Sequence, residues 1–327
     1  MSRSPTRMKS EQRENNKINC LGGALADLIV SPIKSYPKPK LNTSIFVDNL
    51  SYSAGGGAVN SSQALAKLGL EVSVFSKVGN DPFGHMIVKS LSENGVDITN
   101  ILVSETGHTS TVIVGVHEDA DRSFISYHGS LSEYSDSDLT EETLFDCSYL
   151  LYSDLFNLPM IDGKPLSGLL NRAKKQGVIT LLDATWGISG LRPDIFEEVL
   201  PYVDYLLPSA DECRLMYPGK SDEQLIALFQ KKGAHAVILK RGSQGVIGTD
   251  GSNIYKSSAL KKSEEIVDTT GAGDSFNAGF LYGLVKGYDF GDCIKAGSIV
   301  AGCSLMGTGA WYSGDDLKRE LSEAFEE

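Results

Sequence analysis

The sequence predicts an α/β chain: a mainly parallel sheet with helices on both faces, and a second, smaller β-sheet set off from it. Three observations carry this. Between residues 148 and 249, short apolar runs alternate with helical patterns, the rhythm of strand–helix–strand crossovers. Two stretches, about 31–54 and 109–128, interrupt that rhythm with strand-like patches and no intervening helix. Finally, Ile266-Val267 reads as a strand end and leads through Asp268-Thr269-Thr270-Gly271-Ala272-Gly273-Asp274 into Phe276, Gly279, Phe280 and Gly283. Those four fall at i, i+3, i+4 and i+7, the buried face of a helix.

Taken in order, residues 1–17 are polar and charged, without the apolar core of a secretory signal, and read as a disordered leader before one domain spanning 18–327. Ile18 to Ala24 reads as a first buried strand ending in glycines, with Asp27 at or just past its end. Ligands of open α/β sheets sit at such ends, although taken alone Asp27 reads more readily as a helix cap or turn residue. Pro32, Pro37 and Pro39 then break the chain before strand-like patches at 44–48 and 50–53. Gly55-Gly56-Gly57 precedes Asn60 and a helix over 61–69. The glycines allow a ligand close to the backbone, or serve as a hinge; Asn60 offers both a donor and an acceptor. Residues 71–78 alternate as a strand and a helix follows to about 94. Strands at 109–117 and 122–127 form a hairpin, which joins the 31–54 segment as one lid sheet. Further strands are expected near 148–153, 178–183, 203–207 and 235–240, with helices at 164–176, 192–200 and 221–232. Their ends gather Asp154, Asp183, Ser209, Glu212 and Lys240 on one edge. Lys240 to Val246 is a glycine-punctuated hairpin turn, 291–310 a small-residue helix and loop, and 315–327 an acidic terminal helix.

Composition narrows the function. The chain has 327 residues, 41% of them apolar, and a net charge of −12 with no basic run longer than two. That argues against nucleic-acid and membrane-surface roles. Five cysteines without CxxC spacing read as reduced thiols of a cytoplasmic protein. The five histidines form no metal-binding pattern, and no apolar run approaches the ~18 residues of a membrane span.

The chemistry concentrates at 268–274. Gly271-Ala272-Gly273 leaves the backbone N–H groups of a helix start uncovered, an anion site reinforced by the helix dipole. Asp274 adds a carboxylate to the same space. A resting phosphate would be repelled, whereas a phosphoryl group in transfer, with the carboxylate taking a proton from the attacking hydroxyl, is suited to it. A glycine-rich turn with an Asp cap is the purely structural alternative.

These motifs together resemble the ribokinase-like, or phosphofructokinase B (PfkB), family of sugar and nucleoside kinases: Asp27 after the first strand, Gly56-Gly57-x-x-Asn60 heading a helix, Glu212, Gly242-Ser243-x-Gly245, and the 268–280 stretch. The resemblance runs through about residues 18–312. It implies a three-layer α/β/α, Rossmann-like domain with a β lid and ATP-dependent phosphorylation of a hydroxymethyl group. It implies Asp274 as catalytic base and Gly271, Ala272 and Gly273 as anion hole. Asp27, Gly56, Gly57 and Asn60 correspond to substrate contacts, with Asp154 a further candidate. Ser209, Lys240, Gly242, Ser243, Gly245 and Ser298 fall on the nucleotide side. Glu212 would face Mg²⁺ through water, with Ser209 standing where the family usually carries Asn. Asp268, Thr270, Ser304, Gly307, Gly309 and Ser313 match positions that hold a monovalent cation such as K⁺ in some relatives.

The lid's open strand edges predict a homodimer through residues 44–53 and 110–127. Asp and Asn around the acceptor pocket favour a neutral sugar; a nucleoside acceptor, or a sugar- or nucleotide-binding sensor without catalysis, are the alternatives. A NAD-dependent dehydrogenase is disfavoured because Asn60 stands where G-x-G-x-x-G needs glycine. A Walker-type loop fails because Arg214 occupies the first glycine position before Gly219-Lys220-Ser221.

Overall fold

In the computed structural model, which describes residues 16–33, 44–117, 122–187, 190–260, 266, 268–307 and 314–326, the chain builds two sheets. It opens with β1 (Ile18–Leu21), β2 (Leu25–Ile33) and β3 (Asn49–Gly55), then α1 (Gly57–Lys67), β4 (Val72–Gly79), α2 (Pro82–Glu93) and β5 (Ile101–Ser104). The hairpin β6 (Thr111–His117) and β7 (Arg122–Tyr127) follows, then α3 (Glu141–Leu144), β8 (Tyr149–Leu155), α4 (Lys164–Lys175), β9 (Ile179–Ala184) and α5 (Pro193–Val199). Next come β10 (Tyr205–Leu206), α6 (Ala210–Met216), α7 (Asp222–Lys231), β11 (Ala236–Lys240), β12 (Val246–Thr249) and β13 (Ile254–Ser257). The chain closes with α8 (Ala272–Lys286), α9 (Phe290–Ser304) and α10 (Gly314–Phe325).

The main sheet has nine strands in the order β13-β12-β11-β10-β9-β8-β1-β4-β5. Every pair from β5 to β11 is parallel, and β11-β12-β13 is antiparallel. Its strands carry apolar side chains on both faces, as a doubly covered sheet requires. On β8, Leu150 and Tyr152 face a core shared with α4, α5, α6 and α7, whereas Leu151 faces one shared with α1, α2, α8, α9 and α10. The three-layer expectation holds.

The helices α8 and α9 touch almost backbone to backbone. A Cβ at Gly279 would come within 2.6 Å of the Ala296 carbonyl oxygen, and one at Gly297 within 2.8 Å of the Phe276 ring. Gly279, Gly283 and Gly297 thus serve helix packing.

The lid is a four-stranded sheet, β3-β2-β6-β7, with β2 and β6 parallel at its centre. It begins earlier than expected. The first main-sheet strand ends at Leu21, and the chain turns at Gly22-Gly23 straight into β2. Asp27 therefore lies within a lid strand and not at the end of the first strand. The expected strand at 44–48 is irregular, with Phe46 89% exposed among the described residues. Helix α1 starts at Gly57, four residues before the expected 61, which places Asn60 inside its first turn. Residues 1–15 of the expected leader lie outside the described residues.

The chain leaves β1 towards β4 and β5 on one side, then returns to β8 on the other. The crevice beyond the carboxyl ends of β1 and β8 is the switch point at which open α/β sheets bind ligands. No helix among the described residues is long and apolar enough to cross a membrane.

Candidate active site

At this switch point backbone and carboxylates interlock. Oδ2 of Asp154, just before the end of β8, accepts the N–H of Gly23 at 2.9 Å and of Gly57 at 2.8 Å. Both approaches require glycine: a Cβ at Gly57 would stand 2.8 Å from that oxygen and 2.8 Å from the Ser153 Cβ. Gly56, with φ of 97°, leaves no room for a Cβ against the Gly23 carbonyl. Asp154 itself has φ of 68° and Phe156 φ of 87°, a left-handed backbone that non-glycine residues adopt only where surroundings enforce it. Asp162 enforces it here. Its Oδ2 accepts the N–H groups of Phe156 at 3.0 Å and Leu158 at 3.1 Å, and its Oδ1 accepts the Tyr152 hydroxyl at 2.7 Å.

Asp27 reaches over the neighbouring lid strand, and its Oδ2 occupies the space a Cβ at Gly55 would need. The lid thereby hangs a carboxylate beside the mouth of α1. Burial, with Asp274 and Asp268 adding repulsion, pushes the Asp27 carboxyl up to about 7. Burial and Asp274 likewise push Asp154 up to about 7, against the two backbone donors that pull it down.

Gly271 takes the left-handed conformation, φ 73° and ψ 5°, and turns the chain into α8. The N–H groups of Gly273 and Asp274 in the first turn have no hydrogen-bond partner among the described residues, so they remain open to an anion. Asp274 Oδ2 accepts Asn60 Nδ2 at 2.8 Å, and its carbonyl accepts the Ser61 hydroxyl at 3.3 Å. The first turns of α1 and α8 are thus joined across 214 residues of sequence. Burial pushes the Asp274 carboxyl up to about 6, with Asn60 and Lys240 opposing and Asp183 adding to the rise. It is then mostly ionised at neutral pH yet basic enough to take a proton.

On the other side of α8, Lys240 Nζ meets Asp183 Oδ2 at 2.5 Å and Asn277 Oδ1 at 3.3 Å. Ser209 pairs with Lys240 through a parallel bridge and caps α6, its hydroxyl accepting the Asp211 N–H at 3.3 Å. Glu212 follows in that helix. Its Oε1 accepts the Trp186 N–H at 2.9 Å, while Oε2 is buried without a partner. Burial first, then Asp183, pushes Glu212 up to about 7. An orphaned buried carboxylate oxygen fits a hydrated cation, which would lower that proton affinity.

The turn after Lys240 is a short 3₁₀ segment, Gly242–Gln244, with Gly242 and Gly245 at φ of 53° and 77°. Ser243 is exposed on it. Ser298 lies in α9 with its hydroxyl given to the Ile294 carbonyl at 2.9 Å. Asp268 is buried, its Oδ1 accepting both the N–H and the hydroxyl of Thr270, and its own N–H reaching the Leu305 carbonyl at 3.4 Å. That bond brings Ser304 and Gly307 close to the segment leading into Gly271, where Ile266 is in no strand, contrary to the expected strand end, and Val267 lies outside the described residues; the Ser304 hydroxyl itself goes to Ala301 at 2.8 Å. Gly309 and Ser313 lie outside the described residues.

The structure therefore links Gly57, Asn60, Asp154 and Asp274 through hydrogen bonds, sets Asp27 against Gly55 within reach of the Asp274 charge, and places Lys240 and Asp183 beside Asp274, with Glu212 next to Asp183 and Lys240. Sequence reading passed over Asn277 and Asp162. Asn277 follows Asp274 by three residues, so a helical projection places them on neighbouring positions of one face. Asp162 gave no such signal.

Unpartnered N–H groups at a helix start, a hydrogen-bonded carboxylate beside them and further buried carboxylates next to the lid suit a phosphotransferase acting on a hydroxyl group. The sequence pattern of the pfkB family carbohydrate kinases matches residues 15–316, and the chain belongs to that family. It is 27% identical over 299 residues to a ribokinase of Lactococcus lactis, covering 90% of this chain and 92% of the relative. It is 28% identical over 275 residues to a cytidine kinase of Thermococcus kodakarensis, covering 83% and 95%. The fold matches Arabidopsis thaliana ribokinase complexed with ribose and ATP at a TM-score of 0.80 and 24% identity, covering 94% and 99%. The protein is an ATP-dependent sugar or nucleoside kinase of the ribokinase-like fold.

Proposed function

We propose that the chain transfers the γ-phosphoryl group of ATP to a hydroxymethyl group of a small neutral sugar, with Asp274 as the base. The observation that carries this is the Asn60–Asp274 hydrogen bond at 2.8 Å. It orients one carboxylate oxygen and leaves the other for an acceptor hydroxyl, directly beside the open N–H groups of the α8 first turn. Phosphoryl transfer passes through a loose transition state, so positioning and charge stabilisation matter more than a strong base. Asp27, on the lid, and Asp154, at the glycine nest, offer acceptors to neutral hydroxyls and repel an anionic substrate. Gly271, Ala272 and Gly273 present the anion hole.

Lys240, Ser209 and the Gly242–Gly245 turn form the nucleotide wall, with Ser298 on the helix behind α8. Glu212 and Ser209 would hold hydrated Mg²⁺, which when bound supplies charge neutralisation for the phosphates. Closure of the lid excludes water, which would otherwise compete as acceptor. Asp268, Thr270, Ser304 and Gly307 border the segment entering the anion hole, where a K⁺ would act on the geometry of Gly271.

The lid supports a homodimer. Leu50 and Tyr52 on β3 are each 66% exposed, and Phe124 and Ile125, on opposite faces of β7, are 63% and 61% exposed. A second copy would cover them. Light scattering at micromolar concentration is expected to give a dimer; a monomer contradicts this part.

ADP release measured against free sugars, sugar acids, sugar phosphates and nucleosides tests the assignment. A neutral sugar is expected to give the highest kcat/KM. A nucleoside in that place would instead need a base-stacking surface, which Tyr52 and Tyr127 on one lid face or Phe124 on the other could each offer but not all three together, and no release with any acceptor would leave a binding protein.

A further inference from the structure

Lys240 ends β11 with an ammonium that can donate three hydrogen bonds. Two are accounted for, Asp183 Oδ2 at 2.5 Å and Asn277 Oδ1 at 3.3 Å. Those two partners are fixed to each other and to the sheet. Asn277 Nδ2 donates to Asp183 Oδ2 at 2.5 Å, and Asp183 Oδ1 accepts the Ala184 N–H at 2.8 Å. Three elements, β9, β11 and α8, thus grip one flexible side chain. The side chains of Lys240 and Asp183 are only 13% and 9% exposed.

The third donor faces the first turn of α8. Nζ stands 3.3 Å from where a Cβ would be at Gly273. Glycine at 273 leaves the ammonium in close approach to the backbone beside the unpartnered N–H groups of Gly273 and Asp274. A charge placed there is needed. Asp154, Glu212 and Asp274 each feel the charge of Asp183, so a phosphate arriving beside them would meet concentrated negative charge. A lysine stem has large rotamer freedom, which an acidic partner alone would not direct; the planar Asn277 amide, acting on both Nζ and Asp183, supplies the direction.

We propose that Asp183 and Asn277 are positioning residues that aim the Lys240 ammonium at the terminal phosphoryl group received over Gly273. This rests on the kinase function proposed above. Lys240 then contributes to the transferring group and not to the nucleotide as a whole.

The test combines calorimetry with a double-mutant cycle. Lys240→Met is expected to weaken AMP-PNP about 10-fold while ADP binding stays within about 2-fold. It should lower turnover by ~10²–10³-fold, the range for one lost transition-state donor. Asp183→Asn should lower turnover about 10-fold in the native background and change it less than 2-fold in the Lys240→Met background, because it acts only through the lysine. An equal cost of Asp183→Asn in both backgrounds, equal losses of ADP and AMP-PNP binding, or Lys240→Met turnover within 3-fold of the native chain overturns the proposal. Lys240→Met strands a buried carboxylate. If that variant does not fold, the uncharged Lys240→Met/Asp183→Asn pair replaces it: a ~10²-fold loss supports the proposal and native turnover overturns it. A native chain that releases no ADP with any acceptor sinks the kinase function, while the AMP-PNP against ADP comparison still reads the aim of Lys240.

Discussion

Asn60 Nδ2 lies 2.8 Å from Asp274 Oδ2. The contact couples the helix that follows the lid's β3 to the helix that opens with the anion hole, and it favours the ionised carboxylate. Asn60→Leu removes that donor, so the proton affinity of Asp274 rises above its present value of about 6. A base must be deprotonated to act. The acid limb of the kcat/KM profile should therefore move to higher pH, and the variant should lose most activity near pH 6 and least near pH 8. An acid limb unmoved by the substitution would separate Asn60 from the ionisation of Asp274.

The glycine nest is a stability element as well as a binding surface. Gly56→Ala combines a left-handed φ of 97° with overlap on the Gly23 carbonyl. Strain and overpacking each cost about 1–3 kcal/mol, so urea denaturation should show a loss of about 2–6 kcal/mol. Gly95→Ala also alters a positive φ, 79°, but meets nothing within 4 Å, and should cost about 1–2 kcal/mol. Equal losses for the two would remove steric packing around Asp154 as the cause.

Stability should fall as pH rises through neutrality. Burial pushes Asp27, Asp154 and Glu212 up to about 7, whereas in the unfolded chain such groups titrate near ~4. Folding therefore favours their protonated forms. That contribution is complete below pH ~4 and is lost as pH climbs through about 7. Asp81 runs the other way: despite burial, hydrogen bonds from Gly84 and Thr109 hold it below the usual range. Its contribution is present above pH ~4 and is lost in stronger acid. The Tm of the ligand-free protein should be higher at pH 5.5 than at pH 8, and Asp154→Asn should flatten that difference. A Tm that rises between those values contradicts the charge arrangement.

Much of this was legible in the chain itself, because the signals are local. The 268–274 stretch needs glycine for a left-handed turn and an uncovered helix start, and both are written in adjacent residues. The parallel sheet announced itself through apolar strands buried on both faces. The lid strand β2 did not. Leu25 to Ile33 is half-buried along most of its length, so it lacks both the continuous apolar run of a core strand and a clean alternation. Reading it as part of the turn after β1 put Asp27 in the wrong element. Phe46 misled in the opposite sense: an apolar side chain suggested a strand, but it stands 89% exposed. The Asp183–Asn277–Lys240 network joins residues up to 94 positions apart, and no spacing rule links them.

Helix packing offers an independent check on the fold. Gly279→Val would drive a branched side chain into the Ala296 carbonyl at a point where even a Cβ comes within 2.6 Å. Separation of α8 from α9 should lower Tm and shift the anion hole along with α8, so turnover should fall even in the folded fraction. Native turnover in a destabilised Gly279→Val would mean that α8 tolerates displacement.

The central claim is that Asp274 takes the acceptor's proton. It is tested most directly by comparing Asp274→Asn with the native chain for turnover and for binding of ATP and sugar in the same preparation. Turnover should fall by ~10²–10⁴-fold, the usual weight of a general base, with both affinities held within a few fold. An Asp274→Asn enzyme with near-native turnover would contradict it.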